Sequence, residues 1–564
     1  MIRSEEPLLL NPLHLSVAKL FESRLFRIPD YQRAYSWQTK QRDDLFGDIE
    51  EAYRSGREHF MATVVAIARE TRSIAADEFR AVELVDGQQR ITTIVVLLKA
   101  IEKALQDTPD QSRPKRDLGD LLVKGDDHSL VLLQTNHDSS NVFTIYLRKG
   151  QLDEDSIATA SDQNLIDAAR ECEAFVAGWA EKGKLIELLA TVKNRLSMIY
   201  HELADEATVY RVFEVLNSRG LDVRWIDKTK SQMMSSIFEF IEEGARADGL
   251  NEMRVIWKDI YRKLGMKLAL GNEALRFAGT FSVPNRPNRV LGEEEASAAL
   301  LNRAGREIST IVGSAEWLRK VVRLVHELNS DVRRAAVTKI AQARFLAIAI
   351  MLRGFETQLR EKLLSEWEKV TFRIFALGGA DTRMKVGEYV RLAHDVLAKE
   401  LEPDEILQRT RALGASYAIN HLLDSENYWD NCYEGWTEEL RYLLFRYDEH
   451  LAEKAGEKIN ALQWNKIWTA DPSKSIEHIV PQSQEPTFKH HLGNLAMLPP
   501  GMNSSLQADP PEEKAEAYAE CGIRGTMLVG RLIKQVDGWS EVDVKKRAQD
   551  IEQFVRAEWT DWTE

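Results

Sequence analysis

The spacing of apolar residues predicts strands and a helix within the first hundred positions of the chain. Residues 62–68 (ATVVAIA) and 81–85 (AVELV) are apolar and rich in β-branched side chains, which favours strands. Residues 91–105 repeat apolar positions at helical spacing. The predicted order is therefore strand, turn and helix, and the polar segment VDGQQR lies where the helix begins.

Helical spacing dominates from about residue 162 to residue 412. Long helices are predicted over 171–190 and 335–352. The segment 281–287 (FSVPNRP) predicts a connection between helices, and the segment 370–386, which contains two adjacent glycines, predicts another.

Changes in composition divide the chain. The charged segment 107–127 contains two prolines and predicts a loop or lid. Tryptophan, tyrosine and asparagine cluster over 415–440, before a short strand-like stretch, several turns and a helical tail. We predict a multidomain α+β protein that is mostly helical, with an N-terminal α/β module over 1–235, a helical middle over 236–414 and a C-terminal α+β module over 415–564.

The composition is that of a globular protein and excludes several other classes. The chain has 564 residues, a hydrophobic fraction of 44% and a mean hydropathy of -0.35. No apolar stretch approaches the roughly 20 residues of a membrane helix, and the N-terminus lacks the pattern of a signal peptide. The cysteines lie far apart without a C-x-x-C pair, which argues against a zinc ribbon or a disulfide framework. We therefore expect a cytoplasmic protein with no membrane partner.

The net charge of -14 by itself argues against nucleic-acid binding, because phosphate contacts need Lys and Arg. Binding responds to the local potential, however, and residues 332–391 carry twelve basic against six acidic side chains. This excess of +6 is compatible with a DNA channel. A solvated helix face with i,i+4 ion pairs is the favoured interpretation.

The segment S-I-E-H-I-V-P-Q near the C-terminus is a candidate for phosphodiester hydrolysis. A neutral His478 could take a proton from water, and Glu477 and Asn503 could offer oxygen ligands to Mg²⁺. Strand alternation sends Glu477 and His478 to opposite faces, so a bend near Pro481 would have to bring both to one site. Asn494 could bridge backbone groups and hold the strand. The simpler alternative is a hydrogen-bonded histidine beside a turn.

Two neighbouring histidines, His490 and His491, are expected at the surface, where either could contact a phosphate.

The N-terminal segment V-D-G-Q-Q-R-I-T-T could bind a phosphate group. Gly87 allows the backbone to approach a ligand closely, and the helix that follows directs free N–H groups outward. Arg90 can form a forked contact with a phosphate, and Thr92 can cap the helix or donate. Asp86 could orient a water, bind Mg²⁺ or accept from a sugar hydroxyl. An Asp-Gly turn that caps a helix is the alternative.

A second polar motif, F-R-I-P-D-Y-Q-R-A-Y-S-W, occupies residues 26–37. Its aromatic residues could stack on bases, and its arginine could bind a phosphate. Tyr31, Gln32 and Arg33 are the candidates for sensing DNA or its modification. Tyr35 and Trp37 are equally well explained as core residues beside a proline turn.

These motifs together resemble the GmrSD-type, modification-dependent (type IV) restriction endonucleases. The N-terminal domain of that family is ParB- or sulfiredoxin-like, and its D-G-Q-Q-R motif is tied to triphosphate binding and hydrolysis. Residues 213–221 (FEVLNSRGL) resemble a later element of the same domain. The resemblance implies that the nucleotide-binding residues here are Asp86, Gly87, Gln88, Gln89, Arg90 and Thr92.

The pattern E-H-I-x-P with two later asparagines resembles the His-Me finger (HNH) nucleases, whose core is a ββα-metal unit. By position, the resemblance implies that His478 is the general base, that Glu477 and Asn503 hold Mg²⁺ or Mn²⁺, and that Asn494 is structural. Glu477 stands where the family more often has Asp.

The resemblance implies an antiphage enzyme that cleaves modified phage DNA, gated by a nucleoside triphosphate. One alternative is a ParB-like, nucleotide-switched DNA-binding regulator with a vestigial nuclease. Another is a toxin-like nuclease that ignores modification. The sequence leaves open the modification, the triphosphate and whether the protein is a homodimer.

Overall fold

The computed structural model describes residues 12–29, 32–74, 77–124, 131–134, 140–203, 224–337, 339–536 and 538–560. The chain divides into two compact units. The first unit reaches Ser282 and also includes Gly292–Arg323, and the second contains Val283–Leu291 and the chain from Leu324 onward. The boundary falls within the segment for which the sequence predicts a helical middle, and the three-part division of the chain stays a prediction.

The first unit contains a mixed sheet with six described strands in the order β1-β6-β3-β4-β2-β5. Strands β4, β2 and β5 run parallel, β3 is antiparallel to β4 and parallel to β6, and β1 is antiparallel to β6. The strands are β1 (Leu13–Ser16), β2 (Arg24–Ile28), β3 (His59–Ile74), β4 (Asp77–Asp86), β5 (Leu132–Gln134) and β6 (Leu196–Leu203). The two strands predicted from the sequence are the middle of β3 and the end of β4.

The first unit also contains twelve helices among its described residues. They are α1 (Val17–Phe21), α2 (Thr39–Ser55), α3 (Gln88–Ala104), α4 (Ser112–Leu122), α5 (Ser140–Lys149), α6 (Ala160–Ala180), α7 (Leu185–Asn194), α8 (Trp225–Phe240), α9 (Glu243–Leu264), α10 (Ala269–Ser282), α11 (Glu293–Ala304) and α12 (Ile308–Ser330), which enters the second unit.

Helix α3 is the centre of the N-terminal core. Every residue from Ile91 to Ile101 is buried, as expected of a helix that is apolar around most of its circumference. The helix begins at Gln88, three residues earlier than the apolar spacing predicts, and Gly87 is its N-cap with φ +89°. A Cβ at this glycine would lie 3.0 Å from Val64 Cγ2, so both the backbone angle and the close packing favour glycine here.

The structure corrects three predictions about this unit. The predicted loop over 107–127 contains α4, with Pro114 in the first helical turn, where a proline removes no helical hydrogen bond. The helix predicted over 171–190 is two helices, α6 and α7, separated by a turn. The predicted helical region also contains β6. Most of this strand is buried because it lies inside the sheet, between β1 and β3.

The second unit consists of helices and one hairpin among its described residues. Its helices are α13 (Val332–Val337), α14 (Ala341–Leu352), α15 (Thr357–Thr371), α16 (Val386–Ala398), α17 (Pro403–Ala415), α18 (Asn420–Leu423), α19 (Thr437–Lys454), α20 (Ala461–Thr469), α21 (Pro500–Leu506), α22 (Pro511–Glu520), α23 (Arg524–Val536) and α24 (Glu541–Trp559). The single helix predicted over 335–352 is thus divided between α13 and α14. Both predicted helix connections are confirmed, at 283–292 and after a π-helical turn at Phe372–Leu377.

The hairpin joins β7 (Ile476–His478) to β8 (Leu495–Met497) in antiparallel register, with Glu477 opposite Ala496. Helices α21 and α22 follow it directly. Gly493, just before β8, is a close-packed position, because a Cβ there would overlap the carbonyl oxygen of Val544. Arg547 donates to the carbonyl oxygens of Leu492 and Leu495 and ties α24 to the same turn.

Two arginines of the basic excess over 332–391 are paired with acids inside the second unit. Arg334 is buried, and its guanidinium pairs with Glu361 and Glu368. Arg333 pairs with Glu368 and Glu449. The favoured interpretation of a solvated face is therefore wrong for Arg334, because it is buried and pairs with two acids of α15.

The helices and the cysteines can be compared with the expectations of no membrane span and no disulfide framework. No helix in the described part of the chain is both long and apolar enough to cross a bilayer. The three cysteines are buried and free.

Candidate functional site

Strand β7 directs Glu477 and His478 to opposite sides, as strand alternation predicts. Glu477 faces Lys514 and Tyr518 of α22, and His478 faces His490 in the loop before β8. Both side chains are buried. The two residues thus occupy adjacent but chemically different environments, and their roles can be assigned separately.

His478 is held by polar and aromatic contacts on several sides. Its Nε2 lies 3.2 Å from Nδ1 of His490, and its Nδ1 lies 3.1 Å from Nε2 of Gln482. The ring of Tyr433 stacks on His490 and meets His478 edge-on. His490 is 9% exposed, so the prediction that it is a surface residue is wrong.

Burial lowers the pKa of His478 to about 4, with further contributions from His490, Lys514 and Lys489. The imidazole is therefore neutral at neutral pH, which is the form that can accept a proton from water. Exposed Lys489 contributes a positive charge next to this site.

His491, the other histidine expected at the surface, is partly buried. Its Nδ1 accepts from the backbone N–H of Gly493, and its Nε2 lies 3.9 Å from Asp430. It caps the turn before β8 and does not contact His478 directly.

The Glu477 carboxylate is neutralised inside the protein by a lysine that the sequence analysis missed. Its Oε1 accepts from Lys514 Nζ at 2.6 Å and from Tyr518 OH at 2.7 Å. Lys514 also donates to the carbonyl oxygen of His478. Burial raises the pKa of Glu477, and Lys514 and Tyr518 act in the opposite direction. Residues 514 and 518 lie one helical turn apart, and this spacing is the only sequence signal for the pair.

Asn503 is the second residue that the resemblance implies as a metal ligand, after Glu477. Its Nδ2 donates to the carbonyl oxygens of Lys474 and Ile476, which fixes the side chain beside β7. Its Oδ1 is buried and accepts no hydrogen bond. A buried oxygen without a donor is suited to a cation, because such an atom is costly when it stays unsatisfied.

The residues present fit a magnesium or manganese ion. Both hydrogen bonds to Glu477 use Oε1, so Oε2 can face a cation while Lys514 keeps its partner. Mg²⁺ commonly takes one or two protein oxygens and keeps several waters. Among the described residues no group of three or more His, Cys, Asp or Glu side chains could hold a metal, so a cation here would depend on Glu477, Asn503 and water.

Asn494 is fully buried and bridges two backbone segments. Its Oδ1 accepts from the N–H of Val480, and its Nδ2 donates to the carbonyl oxygens of Val480 and Lys489. Its own carbonyl oxygen accepts from the N–H of Ile479. These bonds hold the end of β7 against the loop that carries His490.

In the first unit the two N-terminal motifs pack directly on each other. Gln89 accepts from the N–H of Ser36 and donates to the carbonyl oxygen of Ala34. Gln32 donates to the carbonyl oxygen of Val85 at 2.7 Å. These side chains join segments more than fifty residues apart, so part of each motif serves to hold the other in place.

The charged residues of these motifs form one cluster. Burial raises the pKa of Asp86, while Arg90 and Arg33 act to lower it. Arg90 also lies over the ring of Trp37, 5.5 Å from its centre. Gln88 is buried, and its Oε1 has no hydrogen-bond partner. An acid between two arginines at a helix N-terminus is an arrangement that can bind a phosphate or a hydrated cation.

Several predicted residues are less accessible than a ligand site requires. Thr92 is 1% exposed inside α3 and does not cap it, since Gly87 takes that position. Gln32 is also 1% exposed, which argues against a direct contact with DNA. Tyr35 and Trp37 are core residues, as the alternative interpretation held. Tyr31 and residues 213–221 lie outside the described residues.

Arg33 opens onto a different space from Arg90. It lines a pocket of about 310 Å³ together with Ser36, Asn164, Asp227 and Tyr261. None of the residues from Asp86 to Thr92 lines this pocket. Arg33 and Arg90 both act on Asp86, but only Arg33 lines this pocket.

Comparison with known families matches both ends of the chain. Residues 17–234 match the N-terminal domain of the GmrSD restriction endonucleases, and residues 420–553 match the C-terminal domain of the GmrSD restriction endonucleases. The chain belongs to this family and is a DNA endonuclease of the restriction class. No curated protein matches the chain.

Proposed function

We propose that this protein cleaves modified foreign DNA at a His-Me finger site in its second unit, under the control of a nucleoside triphosphate bound by its first unit. The observation that carries the nuclease assignment is the neutral, buried His478 at the end of β7, the strand whose first residue accepts a hydrogen bond from Asn503. The family membership supports DNA as the substrate.

In the proposed reaction a water molecule takes the place of one of the two hydrogen-bond partners of the His478 ring, and His478 takes a proton from this water as it attacks the scissile phosphate. The bond from phosphorus to the leaving oxygen breaks, and the leaving oxygen takes a proton from solvent. His490 holds the His478 ring from one side and Gln482 from the other. Mg²⁺ or Mn²⁺, held by Glu477 and Asn503, would stabilise negative charge on the phosphate and the leaving oxygen.

The proposed triphosphate site is the N-terminal end of α3. Arg90 would contact a phosphate, and Asp86 would orient a water or bind a magnesium ion. The unsatisfied Oε1 of Gln88 supports this proposal, because it is a buried acceptor that a ligand hydroxyl could satisfy. Gln89 and Gln32 act indirectly, by holding the two motifs together.

The nuclease needs a restraint, because an enzyme that cut all DNA would damage its own cell. Triphosphate turnover in the first unit is the proposed restraint. Coupling in allosteric proteins is typically about 1–3 kcal/mol, or roughly 5–150-fold. We therefore expect triphosphate to change the rate of cleavage and modified DNA to change triphosphate turnover.

The test is cleavage of three DNAs in Mg²⁺, with and without each triphosphate: a plasmid, unmodified phage DNA and hypermodified phage DNA. The wild-type chain, His478→Ala and Arg90→Ala are compared. Selective cleavage of modified DNA that requires His478 and responds to triphosphate is expected. Absence of cleavage on every DNA would favour a nucleotide-switched binding protein, and equal cleavage of all three would favour a modification-independent nuclease.

A further inference from the structure

A second cavity, of about 380 Å³, lies in the second unit beside the His478 site. One wall is the segment from Tyr428 to Trp436, and the opposite wall contains Gly378 and Gly379, which follow the π-helical turn. π-Helical turns are frequent at functional sites. The volume lies near the lower end of the range for small-ligand pockets, roughly 300–1,000 Å³.

Aromatic rings form much of this cavity. Tyr428 and Trp429 meet edge-on with ring centres 4.5 Å apart, and Trp436 meets Trp429 at 6.4 Å. The Tyr428 hydroxyl donates to the carbonyl oxygen of Leu377, which fixes that ring between the two walls. Rings held in this way provide flat apolar surfaces on which a planar ligand can stack.

The polar side of the cavity is the carboxylate of Glu434, which a hydrogen bond from Asn431 orients. Asn431 Nδ2 donates to Glu434 Oε2 at 3.2 Å, and Asn431 Oδ1 accepts from the backbone N–H of Glu434. The Glu434 side chain is 69% exposed, so its carboxylate remains open to a ligand. A carboxylate beside aromatic rings selects a planar group that carries N–H donors.

The same segment contacts the proposed nuclease site. The N–H of Cys432 donates to the carbonyl oxygen of His490, and Tyr433 stacks on the His490 ring. Glu434 Oε1 lies 3.8 Å from His490 Nε2. A ligand in the cavity would therefore lie two side chains away from His478, which is close enough for a nucleotide next to a scissile phosphate.

We propose that this cavity receives a single nucleobase extruded from the DNA, and that Glu434 selects a base of the cytosine type. The proposal rests on the proposed DNA cleavage. Glu side chains accept a hydrogen bond from the exocyclic amine of cytosine. Thymine presents a carbonyl oxygen at the same place, and the carboxylate would repel it. Enzymes that act on DNA extrude bases most easily where the base is unpaired.

The test uses the full chain with His478→Ala, which separates binding from cleavage. The probes are three labelled duplexes that differ at one position: a bulged dC, a bulged dT or full pairing. Affinity is measured by fluorescence anisotropy at fixed salt. We expect the dC bulge to bind about ten-fold more tightly than the dT bulge, as one good base contact would give.

Three further changes, each added to His478→Ala, identify the cavity as the origin of that preference. Glu434→Gln should remove most of the preference for dC over dT, since an amide can pair with either base. Trp436→Ala should remove the preference for both bulges over paired DNA, while Trp436→Phe keeps much of it. Glu426→Gln changes an exposed acid that lies two residues before this segment and does not line the cavity, and it should change nothing.

Equal binding of the three duplexes, or a dC preference that survives Glu434→Gln, would overturn the proposal. Cleavage by the protein with an intact His478 is measured separately on plasmid DNA. A chain that cuts DNA but ignores the bulged base disproves the cavity proposal alone. A chain that prefers the dC bulge but cuts no DNA disproves the nuclease alone.

Discussion

The Nε2 of His478 and the Nδ1 of His490 lie 3.2 Å apart. At this distance one imidazole donates its N–H and the other accepts, so the tautomer of one neutral ring fixes the tautomer of the other. Gln482 contacts the other nitrogen of His478, and Glu434 lies near the other nitrogen of His490. The orientation of the proposed general base is therefore set by residues from two separate loops.

This contact predicts that the loss of His478 reduces DNA cleavage more than the loss of His490. His478→Ala should reduce DNA cleavage by about 10²–10⁴-fold, the usual effect of removing a general base. His490→Ala should reduce it less, because the base remains but its ring is no longer held. Initial cleavage rates on plasmid DNA check this. His421→Ala, at an exposed histidine of the same unit, is the control. Wild-type rates for His478→Ala would remove it from the mechanism.

The buried pair of Glu477 and Lys514 predicts a large coupling in stability. Lys514→Met leaves a buried carboxylate without its cation and should lower the free energy of unfolding by about 3–5 kcal/mol. The double variant Glu477→Gln with Lys514→Met should recover much of that loss. Denaturant unfolding of the full chain measures the free energy of unfolding of the single variant and of the double variant.

The exposed pair of Lys534 and Glu516 is the matched control for this cycle. Lys534→Met should cost less than about 1 kcal/mol, because solvent screens an exposed pair. Additive effects of the Glu477 and Lys514 changes would show that their contact contributes nothing to stability.

The charged cluster at the start of α3 predicts that triphosphate hydrolysis depends on two residues. Arg90→Ala should reduce the rate by about 10²–10³-fold, comparable to the loss of one donor to a developing charge. Asp86→Ala should also lose hydrolysis. Arg90→Lys should retain part of it, since a point charge cannot reproduce the forked contact.

Phosphate release from each triphosphate measures this prediction, with Arg54→Ala on the exposed face of α2 as the control. If both alanine variants hydrolyse triphosphate normally, the segment is only an Asp-Gly turn that caps a helix.

The ion pair between Arg42 and Glu171 predicts a pH-dependent stability in the first unit. Arg42 forms a bidentate contact with Glu171 and also donates to the carbonyl oxygen of Trp37. Hydrogen bonds from Arg42 lower the pKa of Glu171 below its ordinary value of 4.5. The stabilisation is therefore fully present well above pH 4.5 and is lost as pH falls through the lowered pKa of the folded state.

Glu171→Gln should lower the free energy of unfolding by about 1–3 kcal/mol at pH 7. The difference between this variant and the wild type should shrink progressively below pH 4.5. Thermal unfolding midpoints from pH 7 to pH 3 test the prediction. The control is Glu181→Gln, at the exposed residue that follows α6. A difference that stays constant over this range would show that the Glu171 charge is not the cause.

The sequence was sufficient to predict the local structure around both motifs. The positions of α3 and of the two helix connections follow from apolar spacing and from Gly and Pro, because these depend on residues only a few positions apart. The residue types in E-H-I-V-P and V-D-G-Q-Q-R likewise indicated the family, which the matches to its N-terminal and C-terminal domains confirm.

Only the tertiary structure determined the partners of those residues. Lys514 is 37 positions from Glu477, and Gln89 is 53 positions from Ser36. The burial of Gln32 and Thr92 and the inclusion of β6 in the sheet also depend on packing between distant segments. Local spacing specifies which face of an element is apolar, but the side chain that meets a buried charge depends on how the elements pack together.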